Sequence, residues 1–244
     1  VEVALMPSPD IRPYTLSPYN VGTFIRDGRV CYPPGPRRTK VAIWGFGSDS
    51  KRDVPFDSDE FVIWSINNGW NASRDRQGRL RCDAWWEQHQ ITPDVSGPER
   101  GAAIQDPNDM KWINTCPVPL YTTEPWPANP NAVRWPIEYF AEKYRDYFAC
   151  SFAMQITQAI EEGFAEIHLF GLMLLMGTKR EATVESSCVN WWLGLAEGRG
   201  VTVVVHEADW MLLRHPHRYG HEYWLERRFV ERYIRELDTH VVAI

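Results

Sequence analysis

The sequence lacks the features of a disulfide scaffold, a zinc ribbon or a membrane span. Its cysteines form no C-x-x-C pair and are odd in number and widely spaced: Cys31, Cys82, Cys116, Cys150 and Cys188. This usage is typical of a reducing compartment, so we expect a cytoplasmic protein. The longest apolar run, 167–176, is too short to cross a bilayer, and we therefore expect no membrane partner.

An excess of basic residues is also missing, since the net charge is −6. Nucleic-acid binders that ignore sequence are usually basic, so the composition argues against DNA or RNA as a tight standing partner. One segment near the C-terminus favours a local basic face through its arginines: Arg214, Arg218, Arg227, Arg228, Arg232 and Arg235. The alternative is a solvated helix face, because glutamates are interleaved among these arginines at helical spacing.

The third missing feature is the last glycine of a dinucleotide-binding fingerprint. Residues 40–50 read KVAIWGFGSDS, and the dinucleotide fingerprint G-x-G-x-x-G is incomplete because Ser occupies position 50. An apolar run closed by two glycines is still typical of a buried parallel strand followed by a loop whose N–H groups contact phosphate or ribose. We predict that this loop binds a nucleotide through Gly45, Phe46, Gly47, Ser48, Asp49 and Ser50. A tight turn is the alternative for its serines.

A second apolar run, 61–66, follows and ends in Asn67, Asn68 and Gly69. Two neighbouring strands that both end in small polar residues indicate one ligand crevice at the carboxyl edge of an open sheet. Asn67 and Asn68 are therefore predicted to contact the nucleotide. Local turn formation would equally account for asparagine at these positions.

Helix and strand patterns alternate through the chain, which predicts an α/β fold: a Rossmann-like, mostly parallel sheet with helices on both faces. The predicted strands are 40–44, 61–66, 82–86, 118–121, 166–170 and 201–205. The predicted helices are 137–147, 151–162, 185–199 and 222–237. We divide the chain into an extended Pro-rich arm (1–39), a Rossmann-like nucleotide-binding domain (40–213) and a C-terminal helical extension (214–244). A Pro-rich arm of this kind favours a homo-oligomer.

Two catalytic candidates, Glu87 and His89, come at the end of the third predicted strand and are expected to lie at the crevice. Imidazole suits the role of a general base near neutral pH. A structural or merely exposed histidine is the alternative. The proline-rich stretch 122–136 is long enough for a lid, in which Arg134 is predicted to clamp a phosphate and Trp135 to stack on a base or sugar. A structural contact of the lid is the alternative for both.

Metal sites are not expected. Asp57 and Asp59 form a D-x-D pattern, but they lie in a loop where Asp is ordinary. The histidines at 215, 217 and 221 are interrupted by Pro216 and Gly220, which break a helix. We therefore predict no metal and no cofactor.

Four segments, taken in order, carry a resemblance to known proteins. They are Val-Ala-Ile-x-Gly-x-Gly-Ser, Trp-Ser-Ile-Asn-Asn, the stretch from Ser151 through Glu-Ile-x-Leu-Phe-Gly-Leu, and Trp-Leu-Gly-Leu-Ala-Glu-Gly-Arg-Gly-Val. Over residues 40–205 the chain resembles a group of small phage-encoded α/β proteins. More distantly it is similar to the family-42 glycosyltransferases, the bacterial sialyltransferases.

The distant resemblance implies a Rossmann-like sheet that binds a nucleotide sugar without an obligatory metal. It assigns donor contacts to Gly45, Gly47, Ser48 and Asn67, and a contact with donor phosphate or sugar to Ser151. The chain departs from the family where an acidic strand ending is replaced by Gly171-Leu172-Met173. The family's catalytic histidine and paired tyrosines have no clear counterpart here.

These observations lead to a function hypothesis. The chain is expected to be a metal-independent glycosyltransferase that moves a sugar from a nucleotide-sugar donor to an acceptor hydroxyl, one candidate being a hydroxymethylated base in phage DNA. The alternative is a non-catalytic phage protein that binds or sequesters a nucleotide. A hydrolase or transferase that acts on a nucleotide itself is a third hypothesis.

Overall fold

The computed structural model describes residues 24–26, 29–31, 38–45, 50–67, 69–89, 107–124, 126–172, 174 and 181–206. Within these ranges the strands are β1 (Phe24–Arg26), β2 (Arg29–Cys31), β3 (Lys40–Trp44), β4 (Phe61–Ile66), β5 (Ala84–Glu87), β6 (Leu120–Thr122), β7 (Ala132–Arg134), β8 (Glu166–Phe170) and β9 (Thr202–His206). The helices are α1 (Pro107–Thr115), α2 (Ile137–Lys143), α3 (Ser151–Glu162) and α4 (Ser186–Gly198). Two 3₁₀ turns, Ser50–Asp53 and Gly69–Asn71, lie between β3 and β5.

Seven of the strands form one parallel sheet in the order β7-β6-β5-β4-β3-β8-β9. The chain enters the middle of this sheet at β3, builds outward through β7, and returns to the other side of β3 with β8. This strand order is that of a doubly wound, Rossmann-like fold. The predicted fold class is therefore confirmed.

The central strands are buried on both faces, as their unbroken apolar runs predict. On one face, Ile43 and Trp64 belong to the large core formed with α3 and α4. On the other, Trp44 and Ile63 pack with Val54, which follows the first 3₁₀ turn. Since side chains alternate along a strand, each strand contributes to both cores.

Helices cover both faces. Helices α2, α3 and α4 pack on the first face, which we call the α3 face, while α1 packs on the opposite face through Ile113 against Trp85 and Leu120. Helix α3 ends as predicted at Gly163, whose φ of 69° is left-handed and favours glycine. Because α3 immediately precedes β8 and runs against it, α3 begins at the carboxyl edge of the sheet.

The proline-rich stretch differs from the predicted irregular lid. Residues 132–134 form β7, which pairs in parallel register with β6. Asn129 is buried, and its side-chain N–H groups donate to the carbonyls of Ile113 and Cys116. This stretch is therefore bound to the sheet at its edge. A three-residue, half-buried edge strand has too little periodicity to be recognised in the sequence.

Smaller differences concern element ends. The third strand begins at Ala84 rather than at 82, and the helix predicted over 137–147 ends at Lys143. Within the predicted extended arm, β1 and β2 form an antiparallel pair. Apart from Arg38 and Thr39, the rest of that arm lies outside the described residues, as do the C-terminal extension 214–244 and the helix predicted over 222–237. The domain boundaries and the homo-oligomer therefore stay predictions.

Candidate active site

The strand order places a topological switch point at the carboxyl edge of the sheet. Strands β3 and β8 are neighbours, yet the chain leaves them toward opposite sides of the sheet. In open α/β sheets, ligands bind outside the carboxyl ends of the strands at such a switch point. The residues that follow β3, β4, β5 and β8 are therefore the first place to look for chemistry.

The register places three predicted site residues along this edge. Asn67 follows β4, and its N–H donates to the Trp86 carbonyl (3.0 Å). Glu87 is the last residue of β5 and pairs with Thr122, which in turn pairs with Arg134, the last residue of β7. Adjacent strands lie about 4.8 Å apart, so the backbones of Glu87 and Arg134 are about 10 Å apart.

Glu87 and His89 form a hydrogen-bonded pair. The Nδ1 atom of His89 lies 2.8 Å from Oε1 of Glu87, and the His89 backbone N–H donates to the same oxygen (3.2 Å). The Glu87 side chain is 3% exposed, whereas that of His89 is 46% exposed. A buried carboxylate thus orients an accessible imidazole. The Nε2 atom of this ring has no partner among the described residues, and a ring nitrogen in that state can take a proton.

The electrostatics of the edge raise the pKa of His89 above its usual value. The main cause is the hydrogen bond to Glu87, partly offset by burial, and the charges of Glu87 and Glu185 act in the same direction as the hydrogen bond. Glu185 precedes α4 and is half-buried. Sequence analysis assigned it only to a helix. Its effect on His89 depends on folding that no local pattern indicates.

Asn67 has an unusual backbone and an unsatisfied side chain. Its φ is 47°, a left-handed value that asparagine tolerates better than most residues. The Trp85 indole N–H donates to its carbonyl (2.9 Å), but its buried Oδ1 has no hydrogen-bond partner among the described residues. Gln155 of α3 shows the same pattern: its Nε2 donates to the Ser65 carbonyl, while its buried Oε1 lacks a partner in the described part of the chain. Sequence analysis did not identify Gln155.

Gly45 is closely packed. It is buried, and its N–H donates to the Phe170 carbonyl (2.8 Å). A Cβ at this position would lie 2.7 Å from the Phe152 ring and 2.9 Å from the Gly171 carbonyl oxygen. The structure therefore gives this glycine a packing role, and its own amide is not available to a phosphate. A donor contact by Gly45 stays a prediction.

Arg134 already has an anionic partner. Its guanidinium forms a two-pronged ion pair with Glu138 of α2, one contact being 2.9 Å between Nη1 and Oε2. This pair raises the pKa of Arg134 and lowers that of Glu138. A phosphate at Arg134 would share the guanidinium with Glu138. The stacking role suggested for Trp135 does not fit, because Trp135 is 2% exposed and stacks inside the core on Phe140.

Ser151 opens α3 at the crevice. It is half-buried, and the preceding Cys150 is extended and forms no side-chain capping hydrogen bond. The neighbouring Phe152 contacts Gly45, which places this helix end beside β3. Uncapped N–H groups and the helix dipole favour an anion at such an end.

The remaining predicted contacts are only partly described. Ser50 begins the 3₁₀ turn after the glycine loop. Phe46, Gly47, Ser48, Asp49 and Asn68 lie outside the described residues, so their nucleotide contacts stay predictions.

In the described ranges, no group of three or more His, Cys, Asp or Glu side chains is placed to hold a metal ion. Asp57 instead binds Arg76, with 3.0 Å between Oδ2 and Nε. In the same ranges, no helix combines the length and apolar character needed to span a bilayer.

Comparison with known proteins leaves the family open, since no family model and no curated protein matches the chain. Among solved structures it is similar to sialyltransferase CstII from Campylobacter jejuni bound to the substrate analogue cytidine-5′-monophosphate. The identity is 13%, with 70% of this chain and 81% of that chain covered, at a TM-score of 0.42. A second structure of the enzyme, with a trisaccharide acceptor and CMP, is 15% identical over 71% of this chain and 83% of that chain, at a TM-score of 0.38. The fold assignment here stands on the strand order itself.

Proposed function

We propose that this chain is a glycosyltransferase that moves a sugar from a nucleotide-sugar donor to an acceptor hydroxyl, without a metal ion. The observation that carries the proposal is the Glu87–His89 pair at the carboxyl edge of the sheet. A buried carboxylate that holds an accessible imidazole by one nitrogen is the arrangement of a general base.

The proposed reaction is a displacement at the anomeric carbon. Nε2 of His89 takes the proton of the acceptor hydroxyl, whose oxygen forms the new bond to the anomeric carbon. The bond from that carbon to the phosphate oxygen breaks, and the phosphate leaves with the electron pair. Glu87 stabilises the imidazolium that forms, since its carboxylate is hydrogen-bonded to Nδ1.

The leaving phosphate needs positive charge or N–H donors. The first turn of α3, beginning at Ser151, and the Arg134 guanidinium are the described groups that fit this need. The unsatisfied Oδ1 of Asn67 and Oε1 of Gln155 add two acceptors near the same edge. Such acceptors suit the hydroxyl groups of a ribose or sugar, because a buried polar atom without a partner costs about 1–3 kcal/mol.

DNA as the acceptor stays a prediction without support from the described residues. The arginines on which it depends, from Arg214 to Arg235, lie outside them. Binding to DNA through these arginines predicts an affinity that falls steeply with salt concentration. Absent or salt-insensitive binding would remove this acceptor.

The donor is tested first, without any acceptor. The full chain is incubated with a panel of nucleotide sugars, and release of free nucleotide is followed by chromatography, because transferases leak sugar to water slowly. We expect one donor to be hydrolysed faster than the rest, with chelator present or absent. Tight binding of a plain nucleotide without turnover of any donor would instead favour a protein that sequesters nucleotides. Loss of turnover on chelation would contradict metal independence.

A further inference from the structure

A cleft of about 600 Å³ lies outside the candidate active site. Its walls come from two segments, 52–58 and 74–76, and Val54 of the first segment packs on the sheet face opposite α3. The volume suits a small molecule such as a monosaccharide or disaccharide. Three arginines line it: Arg52, Arg74 and Arg76.

Three arginines and three aspartates line this cleft, and ion pairs decide which of these charges remain available to a ligand. Asp57 is engaged by Arg76, and Asp75 by Arg79, whose Nε lies 2.7 Å from its Oδ2. Asp75 also accepts the backbone N–H groups of Gln77 and Arg79, so its carboxylate is satisfied.

What remains facing the cleft is Arg52, Arg74 and Asp53. Arg74 donates to the Gly78 carbonyl (3.2 Å), a neutral partner. The exposed side chain of Arg52 has no hydrogen bond or ion pair with the other described residues. Two guanidinium groups against one carboxylate leave a site that attracts an anion.

Hydrogen bonds and side-chain packing hold the wall of the cleft in place. Arg81, which is 5% exposed, donates from Nε to the Phe56 carbonyl (2.9 Å) and from Nη2 to the Ser58 carbonyl (2.6 Å). The Phe56 ring, which lines the cleft, packs edge-on against Trp44, with centroids 5.7 Å apart. An aromatic face beside arginines and a serine hydroxyl suits a sugar ring that carries a negative charge.

Both walls are chain segments that begin at the carboxyl edge of the sheet. Arg52 follows Ser50, at the end of the glycine loop, by two residues, a reach of at most about 7 Å. Arg74 follows Asn67 through the 3₁₀ turn Gly69–Asn71. The segments that leave β3 and β4 at the carboxyl edge therefore each lead into the cleft.

We propose that this cleft is a second binding site, which takes an anionic sugar with its carboxylate or phosphate on Arg52 and Arg74, and that this sugar is the acceptor. The acceptor role rests on the proposed glycosyltransferase function, whereas the binding itself does not. The acceptor would then be anchored on the face opposite α3, with its reacting hydroxyl at the carboxyl edge beside the donor and His89.

Binding is measured directly by calorimetry on the full chain, with glucuronic acid, glucose 6-phosphate and neutral glucose as probes. We expect the two acids to bind more tightly than glucose and to weaken with rising salt. The carboxylate and phosphate probes show which anion is preferred. Arg52→Gln and Arg74→Gln should each weaken acid binding about tenfold, while Arg145→Gln, which removes an exposed arginine near Trp191, should not.

Three outcomes would overturn the binding proposal. They are equal binding of glucose and the acids, unchanged binding in both cleft variants, and an equal loss in Arg145→Gln. Displacement of the acid probes by a short single-stranded oligonucleotide, at lower concentration than either acid, would assign the cleft to a nucleic-acid backbone instead and reject the sugar.

The ratio of sugar transfer to donor hydrolysis tests the acceptor role separately from the donor reaction. With the donor found above, the acid sugar that binds is added, and transfer is compared with donor hydrolysis. In Arg52→Gln the ratio of transfer to hydrolysis should fall about tenfold, and an unchanged ratio would reject the acceptor role. If the wild-type chain hydrolyses no donor, the glycosyltransferase proposal fails, while the calorimetry still decides whether the cleft binds an anionic sugar.

Discussion

The chain carries the pattern Glu-x-His twice, with opposite burial. Glu87 and His89 lie at the carboxyl end of β5, and Glu166 and His168 lie at the start of β8. Both pairs are hydrogen-bonded, at 2.8 and 2.9 Å. In the first pair the carboxylate is 3% exposed and the imidazole 46%, whereas in the second the imidazole is 13% exposed and the carboxylate 31%.

The difference decides what each imidazole can do. His168 uses Nε2 for Glu166, and its Nδ1 lies 3.1 Å from Nε2 of His206, so both ring nitrogens are occupied. Among the described residues His89 uses only Nδ1, so its Nε2 stays available for a proton. Sequence spacing alone does not separate a catalytic pair from a structural one. The separation comes from which partner the fold buries.

The largest expected effect is on turnover when each histidine is replaced. His89→Gln should lower donor hydrolysis by about 10²–10⁴-fold, the usual contribution of a general base. His168→Gln, the matched control on β8, should leave the rate near that of the wild type. Rates are measured at saturating donor, with circular dichroism to confirm that both variants fold. Equal losses of turnover in the two variants would contradict the assignment of His89 as the catalytic base.

Asp83, another buried carboxylate, sharpens the comparison because it has no histidine partner. It accepts the Ile63 N–H (2.8 Å), and Arg38 lies 3.5 Å away. Burial raises its pKa from 3.8 to about 6, against the lowering effects of that hydrogen bond and of the Arg38 and Arg81 charges. Between these pH values the folded state binds more protons than the unfolded state. This group should therefore reduce the free energy of unfolding by about 3 kcal/mol as pH rises through the window.

Asp83→Asn tests this sign. The variant should lose the fall in stability between pH 4 and pH 6, as measured by urea unfolding at half-unit pH intervals. Glu87→Gln serves as the control, since it leaves Asp83 in place and should keep the fall. A steeper fall in Asp83→Asn than in the wild type would mean that the charged form of Asp83 is the stabilised one.

The next effect concerns the pH dependence of catalysis. As a base, His89 must be neutral, so activity should rise with pH through the pKa of His89. Because Glu87 raises that pKa, Glu87→Gln should move the rise to lower pH and cost roughly tenfold in the plateau rate through loss of a charge-assisted hydrogen bond. Glu166→Gln should do neither. A pH–rate profile and an NMR titration of His89 check both points.

Much of the fold could be predicted from local patterns. The unbroken apolar runs of β3, β4 and β8 and the Gly163 ending of α3 are strong local features, and their parallel order follows from the alternation of helix and strand. The same reasoning placed Asn67 and Glu87 at strand ends, where the register brings them together. Strand β7 was not predicted, because three residues at the edge of the sheet are too few to show an alternating apolar pattern.

The rest depends on contacts between distant parts of the chain. The packing of Gly45 requires Phe152, which lies far away in the sequence, at the start of α3. The pairing of Arg134 with Glu138 and the effect of Glu185 on His89 are likewise set by how helices meet the sheet. The cleft needs Arg52 and Arg74, which belong to two separate segments of the chain, to line the same space. No local stretch of the sequence indicates these contacts.

The smallest expected effect is on stability, where the two pairs should act at opposite ends of the pH scale. The pKa of His89 is raised, so its stabilising contribution is full below about pH 6.5 and is lost as pH rises. The pKa of Glu166 is lowered, chiefly by the hydrogen bond from His168, so its contribution is present above about pH 4.5 and is lost as pH falls.

Each contribution should stay below about 1 kcal/mol, because one partner of each pair is solvent-exposed. Urea midpoints from pH 3.5 to 8 are therefore compared as differences between the wild type and each variant. Subtracting the His89→Gln curve should leave a difference that shrinks above neutrality, and subtracting the Glu166→Gln curve one that shrinks in acid. If both differences shrank on the same side, the burial pattern would not control which group of each pair titrates, and the assignment of His89 as the base would lose its physical basis.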